Sequence, residues 1–340
     1  MARETFKKPH YSSVLVADPL LVDDSPSGDE KNGIDVYSLL TSTSDLTSIS
    51  ASITDYRYGN GRRYHAYHEG AYIGPNDEVE QDRMSLVHHI YTFLLEGKLH
   101  LAPLRENPQR VLDLGTGTGL WAIDFADEYG SAQVVGNDLS PIQPKWVPPN
   151  CQFEIDNFES DWLYKTPFDY IHARELAGCI GNVDKLFRQA FDHTSSGGYF
   201  ELQAVSAHFL SDDGTADEAV TAQEWMGKIR EAGRKFGKPL DDVNQWRQKL
   251  EDIGFVEVTE TVLKLPIGTW PKDPRMKEIG KFQFVGELQA IEAYTPALFT
   301  RVLGWSVEEM QLMIDKVKQE ISNRSLHLYL PCHVVYGRKP

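Results

Sequence analysis

The stretch Arg110-Val111-Leu112-Asp113-Leu114-Gly115-Thr116-Gly117-Thr118-Gly119 leaves this chain few ways to fold. A short apolar run, then three alternating glycines, then Leu120-Trp121-Ala122-Ile123-Asp124-Phe125-Ala126 at helical spacing read as a buried strand, a tight turn and a helix. Glycine suits the turn because a side chain would keep the backbone from closing on a ligand or taking positive φ. A second apolar run, Gln133 to Asn137, ends in Asp138 roughly twenty residues past the glycines, where an acidic side chain can hydrogen-bond a ribose diol. The pair of signals points to an adenosine-containing ligand.

The glycine spacing speaks to which one. A dinucleotide fingerprint is G-x-G-x-x-G, whose helix N-terminus faces a pyrophosphate. Here the third glycine comes one residue early, and Asp113 precedes the loop. That carboxylate would repel a pyrophosphate but suits a ligand carrying an ammonium and a sulfonium. The pattern favours S-adenosylmethionine over a nicotinamide dinucleotide.

Further strands follow in alternation with helices. Cys151 to Ile155 ends in Asp156 and Asn157, Phe168 to His172 is a fourth strand, Val183 to Ala190 a helix, Ser196-Gly197-Gly198 a turn, and Tyr199 to Val205 a fifth strand. Pro141 to Asn150 is too rich in proline for a regular helix. The alternation predicts a doubly wound, mostly parallel sheet with ligands at the carboxyl ends of its strands. Two later β-rich runs, Phe255 to Leu265 and Leu326 to Tyr336, complete it with an antiparallel edge, and an insertion at about 270–324 forms a helical cap. A helix with Val220, Trp225, Met226 and Ile229 inward precedes these, and Val307, Met310, Met313, Ile314, Val317 and Ile321 share one face of another. Residues 1–55, rich in Ser, Thr and Asp, read as a mobile acidic tail, with Val14-Leu15-Val16 able to dock on the body. Residues 56–108 read as an aromatic lid and a helix, capped by Asp77 with Glu80 completing a capping box. Residues 109–340 read as the catalytic core with its cap.

Each candidate site residue has a functional and a plainer reading. Asp113 sits inside an apolar strand and needs partners such as loop N–H groups or the ligand's ammonium. Asp156 and Asn157 can read an adenine amino group or simply cap a turn. Arg174 can clamp a carboxylate or pair with Glu175 or Asp169. His65 and His172 are the general-base candidates for a hydroxyl or thiol acceptor, and as readily structural hydrogen-bonders. Tyr64, Tyr67 and Tyr72 can stack on adenine or face the sulfonium. Trp225, Trp270, Phe282, Phe284 and Met310 line an acceptor pocket or belong to the core.

The 34 basic and 50 acidic side chains give a net charge of −16, which repels nucleic acid and anionic membrane and favours a small-molecule acceptor or protein partners. Three scattered cysteines carry neither a disulfide framework nor a zinc site, so no metal is expected. Without a leader-like segment or a long apolar run, the expectation is an intracellular protein, cytoplasmic rather than nuclear.

Gly59-Asn60-Gly61-Arg62-Arg63-Tyr64-His65, Pro75-Asn76-Asp77, the Val111 to Gly119 loop, Asp138-Leu139-Ser140-Pro141-Ile142-Gln143-Pro144 and Ser211-Asp212-Asp213-Gly214-Thr215 together resemble the fungal LaeA-like class I methyltransferases from Tyr56 to the end of the chain. The resemblance implies a Rossmann-like α/β fold, S-adenosylmethionine as cofactor and a place in secondary metabolism. It implies Asp113, Gly115 and Gly117 as the cofactor loop, Asp138 as the ribose acid, Asp156 with Asn157 as the adenine-side pair and Tyr64 as part of an aromatic lid; Thr116, Gly119, Leu139 and Arg174 are read with them as cofactor-side residues. Asn157 departs from the second acidic residue expected there. The implied activity is methyl transfer to oxygen, nitrogen or sulfur of a small metabolite. The alternatives are a regulatory protein acting through velvet-type partners and a related fold catalysing a rearrangement without methylation.

Overall fold

The computed structural model describes residues 15–16, 20, 56–59, 61–65 and 72–340. The predicted mobile tail and Tyr67 lie outside these, apart from Leu15, Val16 and Leu20. Among the described residues the strands are β1 (Leu15–Val16), β2 (Arg57–Gly59), β3 (Arg62–Tyr64), β4 (Arg110–Leu114), β5 (Gln133–Asp138), β6 (Cys151–Ile155), β7 (Phe168–Arg174), β8 (Thr194–Val205), β9 (Val256–Pro266) and β10 (Tyr329–Arg338). The helices are α1 (Glu78–Leu94), α2 (Leu120–Glu128), α3 (Val183–His193), α4 (Val220–Phe236), α5 (Trp246–Ile253), α6 (Pro274–Ala297) and α7 (Val307–Ile321).

The main sheet has the order β1-β9-β10-β8-β7-β4-β5-β6, and β2 and β3 form a separate hairpin. β4 pairs parallel with both β5 and β7, so the winding reverses between β4 and β7. The carboxyl ends of that pair open the crevice where a doubly wound sheet takes its ligand. At the other end β10 runs antiparallel to both β8 and β9, which supplies the expected antiparallel edge region. β1 pairs with β9 outside it, so Leu15 and Val16 do dock. These observations establish a doubly wound, mostly parallel α/β sheet in which β10 runs antiparallel near one edge.

Strands buried on both faces need apolar residues at every position. One layer sets Leu112, Leu114, Ile171 and Phe200 against Phe187 of α3 and Trp246 and Leu250 of α5. The opposite layer sets Val111, Val134 and Tyr170 against Trp121 and Phe125 of α2. A third cluster joins α1, α4, α6 and α7 through Ile90, Trp225, Ile291 and Met313, and it holds the cap over the carboxyl ends.

Three local expectations are revised. Asp77 does cap α1, its Oδ1 accepting from the Glu80 N–H at 3.1 Å, but the Glu80 carboxylate turns inward to Arg83 instead of closing a capping box. Val220 and Val307 are more than half exposed, because each starts its helix before the helix meets the core. The Ser196–Gly198 turn lies inside β8, where Gly197 takes φ +77° and the register with β7 shifts. The cap insertion is α6, a π-helical turn at Leu298–Val302 just after Pro296, and α7.

Phe200 is fully buried, edge-on to Phe187 at 5.5 Å and tilted against Phe255 at 6.0 Å. Phe200→Ala is therefore expected to lower unfolding free energy by about 3–5 kcal/mol in urea denaturation, provided the transition stays two-state.

Candidate functional site

The turn from β4 to α2 uses its glycines as the sequence requires. Gly115, Gly117 and Gly119 take φ of +61°, +57° and +81°. A Cβ on Gly115 would stand 2.6 Å from Leu176 Cδ2, so the cradle has no room for a side chain there. Thr116 N–H donates to Asn137 O at 2.9 Å and Gly115 N–H to Asn137 Oδ1 at 3.2 Å, which ties the turn to β5.

Asp138 then holds the turn from the other side. Its Oδ2 accepts from Gly117 N–H at 2.9 Å and its Oδ1 from Ser140 N–H at 2.9 Å. Gln143 Nε2 donates to Gly117 O at 2.7 Å, so both backbone polar groups of Gly117, in the peptide units on either side of its Cα, are fixed by the Asp138–Pro144 segment. Asn76 Nδ2 donates to Ser140 Oγ at 3.2 Å, and Arg63 and Arg62 bind Asn76 and Asp77 in turn. Four of the sequence elements singled out above thus form one connected network around the glycine turn. Burial outweighs the two N–H donors and pushes the Asp138 carboxyl up to about 6.

Asp113 has its partners within the protein. Its Oδ2 accepts from Thr116 Oγ1 at 2.6 Å and its Oδ1 from His172 Nδ1 at 2.7 Å. His172 is fully buried and stacked on Trp121, the ring centroids 3.7 Å apart and the planes 8° from parallel. Its Nε2 is enclosed and has no hydrogen-bond partner among the described residues, and burial lowers its pKa. An imidazole so held has its Nδ1 committed to Asp113. Arg174 Nη2 lies 2.8 Å from His88 Nδ1, and since arginine only donates, that nitrogen accepts. His88 is then the neutral tautomer whose Nε2–H meets Asp124 at 2.9 Å, and burial lowers its pKa. The Arg174 guanidinium also stacks on Tyr91 at 5.1 Å.

These groups line a cavity of about 1170 Å³, measured out to its open mouth, which includes Asp113, Gly115, Thr116, Gly117, Asp138, Leu139, Asn157, His172 and Arg174. Gly119 shapes the cavity from the start of α2 without lining it. Asp156 is exposed and not among the lining residues, and it accepts the Asn157 N–H at 2.8 Å. Asn157 Oδ1 takes the Glu159 N–H at 3.0 Å, so both side chains make the turn caps of the plainer reading. Tyr64 stands apart from the cavity under the Arg301 guanidinium, 4.6 Å from its ring centroid, and His65 Nε2 meets Tyr72 O at 3.0 Å.

A second cavity of similar size adjoins the first and shares Tyr72, Arg83, Glu175, Cys179, Lys238 and Tyr294 with it. Its remaining wall is largely apolar, with Trp225, Met226, Ile229, Leu240, Leu265 and Leu298. Of the proposed acceptor residues Trp225 is here, Trp270 and Met310 are in the core, and Phe282 and Phe284 pack half-buried outside the cavity. Sequence reasoning missed Glu175 as a cavity residue, and missed Arg83 and Glu287 altogether. The available signal was charge on the inward faces of α1 and α6, where only a paired or functional group is tolerated.

Among the described residues no cluster of His, Cys, Asp or Glu is placed to hold a metal, and no helix is long and apolar enough to cross a membrane.

Comparison with known proteins follows the same line as the geometry. A methyltransferase domain family matches residues 86–260. A methyltransferase of Aspergillus terreus named pytC is 41% identical over 302 residues, 88% of this chain and 93% of that protein. The secondary metabolism regulator LAE1 of Cochliobolus heterostrophus is 36% identical over 288 residues, 83% of this chain and 94% of that one. The probable methyltransferase tdiE of Emericella nidulans is 31% identical over 293 residues, covering 86% and 92% of the two chains.

A ribose diol donates to an ionised carboxylate, so binding at Asp138 favours the deprotonated form. With the free carboxyl near pH 6, affinity for S-adenosylmethionine is expected to be full above that pH. It should fall toward about tenfold per pH unit well below it. Calorimetric titration from pH 5 to 8 checks this, and Asp138→Asn should flatten the profile and lower affinity throughout.

Proposed function

This chain belongs to the LaeA-like class I methyltransferases of secondary metabolism, and we propose on that premise that it methylates a small, largely apolar metabolite seated in the second cavity. Its methyl donor is S-adenosylmethionine, which supplies an electrophilic methyl carbon on a sulfonium. The observation that carries the reading is the shared wall, where Glu175, Tyr72 and Tyr294 face both the cradle of the glycine turn and the apolar cavity under the cap.

The residues fit such a donor. The positive-φ glycines leave the cradle clear, and it is lined by acids, Asp113 and Asp138, with Arg174 at the end of β7. We assign Asp138 to the ribose diol and Asn157 to the adenine side. The charge of Asp113, fixed by Thr116 and His172, favours the donor's ammonium, and Arg174 favours its carboxylate. What remains for the protein is to hold acceptor and methyl carbon in line, about 3 Å apart, and to keep water out. The roof of α4 and α6 does the last of these. His65 fixes the Tyr72 carbonyl, and His172 fixes Asp113, so both histidines serve as positioning residues.

The name of the Cochliobolus relative supports a second reading, in which the chain binds the cofactor and acts through a protein partner. The two readings part on turnover. Wild type is expected to bind S-adenosylhomocysteine and to form it from S-adenosylmethionine only when an extract of apolar metabolites is added. Met226→Trp, which fills the second cavity, should abolish that formation and leave S-adenosylhomocysteine affinity unchanged, since the cradle is untouched. Cofactor binding without acceptor-dependent turnover would favour the regulatory reading. A cofactor requirement for conversion without S-adenosylhomocysteine would favour a rearrangement.

A further inference from the structure

The second cavity is apolar over most of its wall, yet two carboxylates open onto it. Glu287, near the middle of α6, is 5% exposed, and its hydrogen bond within the protein comes from the neutral Gln283 amide at 3.1 Å. Glu175, just past the end of β7, accepts from Tyr91 Oη and from Val205 N–H at 3.0 Å, both on Oε1. The cations facing this cavity have partners of their own. Arg83 makes a bidentate pair with Glu80 at 2.7 and 3.0 Å and reaches Tyr294 Oη, and Lys238 binds Glu159 at 2.6 Å and the Cys179 carbonyl. Arg174 lines the cofactor cavity but not this one. Two acids therefore face an apolar space with no cation hydrogen-bonded to them, and a buried carboxylate that is only partly compensated is costly. Burial raises both carboxyls, that of Glu287 to about 7; the Arg83 charge offsets part of the rise at each, Arg174 part of it at Glu175, and the charge of Glu175 adds to it at Glu287.

Backbone strain marks the same place. Glu175 holds φ at +58°, a conformation uncommon for a residue with a side chain, and its N–H is bonded to Gln203 O at 2.8 Å. The strained turn sets this carboxylate where the two cavities meet.

We propose that the acceptor is a basic amine on an apolar frame, its nitrogen entering as an ammonium recognised by Glu287 and by Glu175 Oε2. This rests on the methyltransferase reading above and narrows it to nitrogen. The apolar frame lies against Trp225, Met226, Ile229 and Leu298, and the ammonium supplies the charge that the two acids lack. For transfer, one ammonium proton passes to the Glu175 carboxylate. The freed nitrogen lone pair forms the N–C bond to the methyl carbon, and the electron pair of the breaking C–S bond stays on sulfur. The positive charge of the sulfonium ends on the methylated nitrogen, and the proton on Glu175 leaves to solvent after release.

The test uses the full chain saturated with S-adenosylhomocysteine and two isosteric probes, 4-phenylbutylamine and 4-phenylbutan-1-ol, titrated calorimetrically. The amine is expected to bind more tightly by roughly tenfold or more, the scale of a charge-assisted contact. Glu287→Gln should erase most of that preference without changing affinity for the alcohol or for S-adenosylhomocysteine, the latter showing that the variant is folded. With S-adenosylmethionine instead, N-methyl-4-phenylbutylamine should form in wild type, and in Glu287→Gln at saturating amine, but not in Glu175→Gln. Equal or tighter binding of the alcohol, a preference untouched by Glu287→Gln, no methylated amine in wild type, or wild-type rates in Glu175→Gln would each overturn the proposal. Failure of S-adenosylhomocysteine itself to bind would instead overturn the methyltransferase reading.

Discussion

The site depends on one carboxylate. Asp138 accepts the Gly117 N–H with one oxygen and the Ser140 N–H with the other, and so sets the glycine turn against the segment that follows β5. A turn of positive-φ glycines has little conformational preference of its own, and something outside it must choose its shape. Asp138 and Gln143 do so by holding the Gly117 N–H and C=O, which fixes the peptide units on both sides of that residue. The selection extends outward through Ser140 and Asn76 to Arg62, Arg63 and Asp77, so the hairpin before α1 is coupled to the floor of the cradle. The same carboxylate then has lone pairs left for a ligand, at the cost of a raised pKa.

Much of this was legible in the sequence, for a physical reason. β4 is buried over residues 111–114 and is apolar there except for the partnered Asp113, and the glycines and Asp138 stand at separations that a strand-turn-helix unit explains. The matches at Arg62-Arg63, Pro75-Asn76-Asp77 and Asp138 to Pro144 marked the connected elements, though not their connection, because hydrogen bonds across 64 residues leave no local pattern. The Ser211 to Thr215 element has a comparable task elsewhere: Asp213 and Thr215 bind His327, and Asp212 binds Lys264, which fastens the segment before α4 to β9 and to the chain before β10.

What was not legible has the opposite character. Glu80, Arg83 and Glu287 look like ordinary helix-surface charges, and only tertiary packing turns them inward. Glu80 was expected to close a capping box, a local and inexpensive arrangement. The buried Arg83 needs a partner more than the helix needs its second cap, since a stranded buried guanidinium costs several kcal/mol against about one for a cap. Glu175 was hidden for a related reason: positive φ is read from glycine, and a glutamate held there by its surroundings carries no such sign. Trp270 and Met310 show the converse, for aromatic and sulfur-containing residues are core far more often than they line a site.

The sheet topology explains why the two cavities meet where they do. Winding reverses between β4 and β7, so Asp113 and His172 are register partners across the switch point. The residues just past them, the glycine turn on one side and Arg174 with Glu175 on the other, diverge around the crevice. The cradle is built by the β4 side, which is fixed by hydrogen bonds to β5 and tolerates little change. The second cavity is lined by residues at the end of β7 and by helices inserted after β8, which pack on one another through side chains. A fold divided in this way can keep its glycine-turn cradle while the α4 and α6 walls vary, because substitutions there alter the second cavity without disturbing the Asp138 network. On the proposed reading, the chemistry of the acceptor is set by Glu175 at the end of β7 and Glu287 on α6 rather than by the cradle.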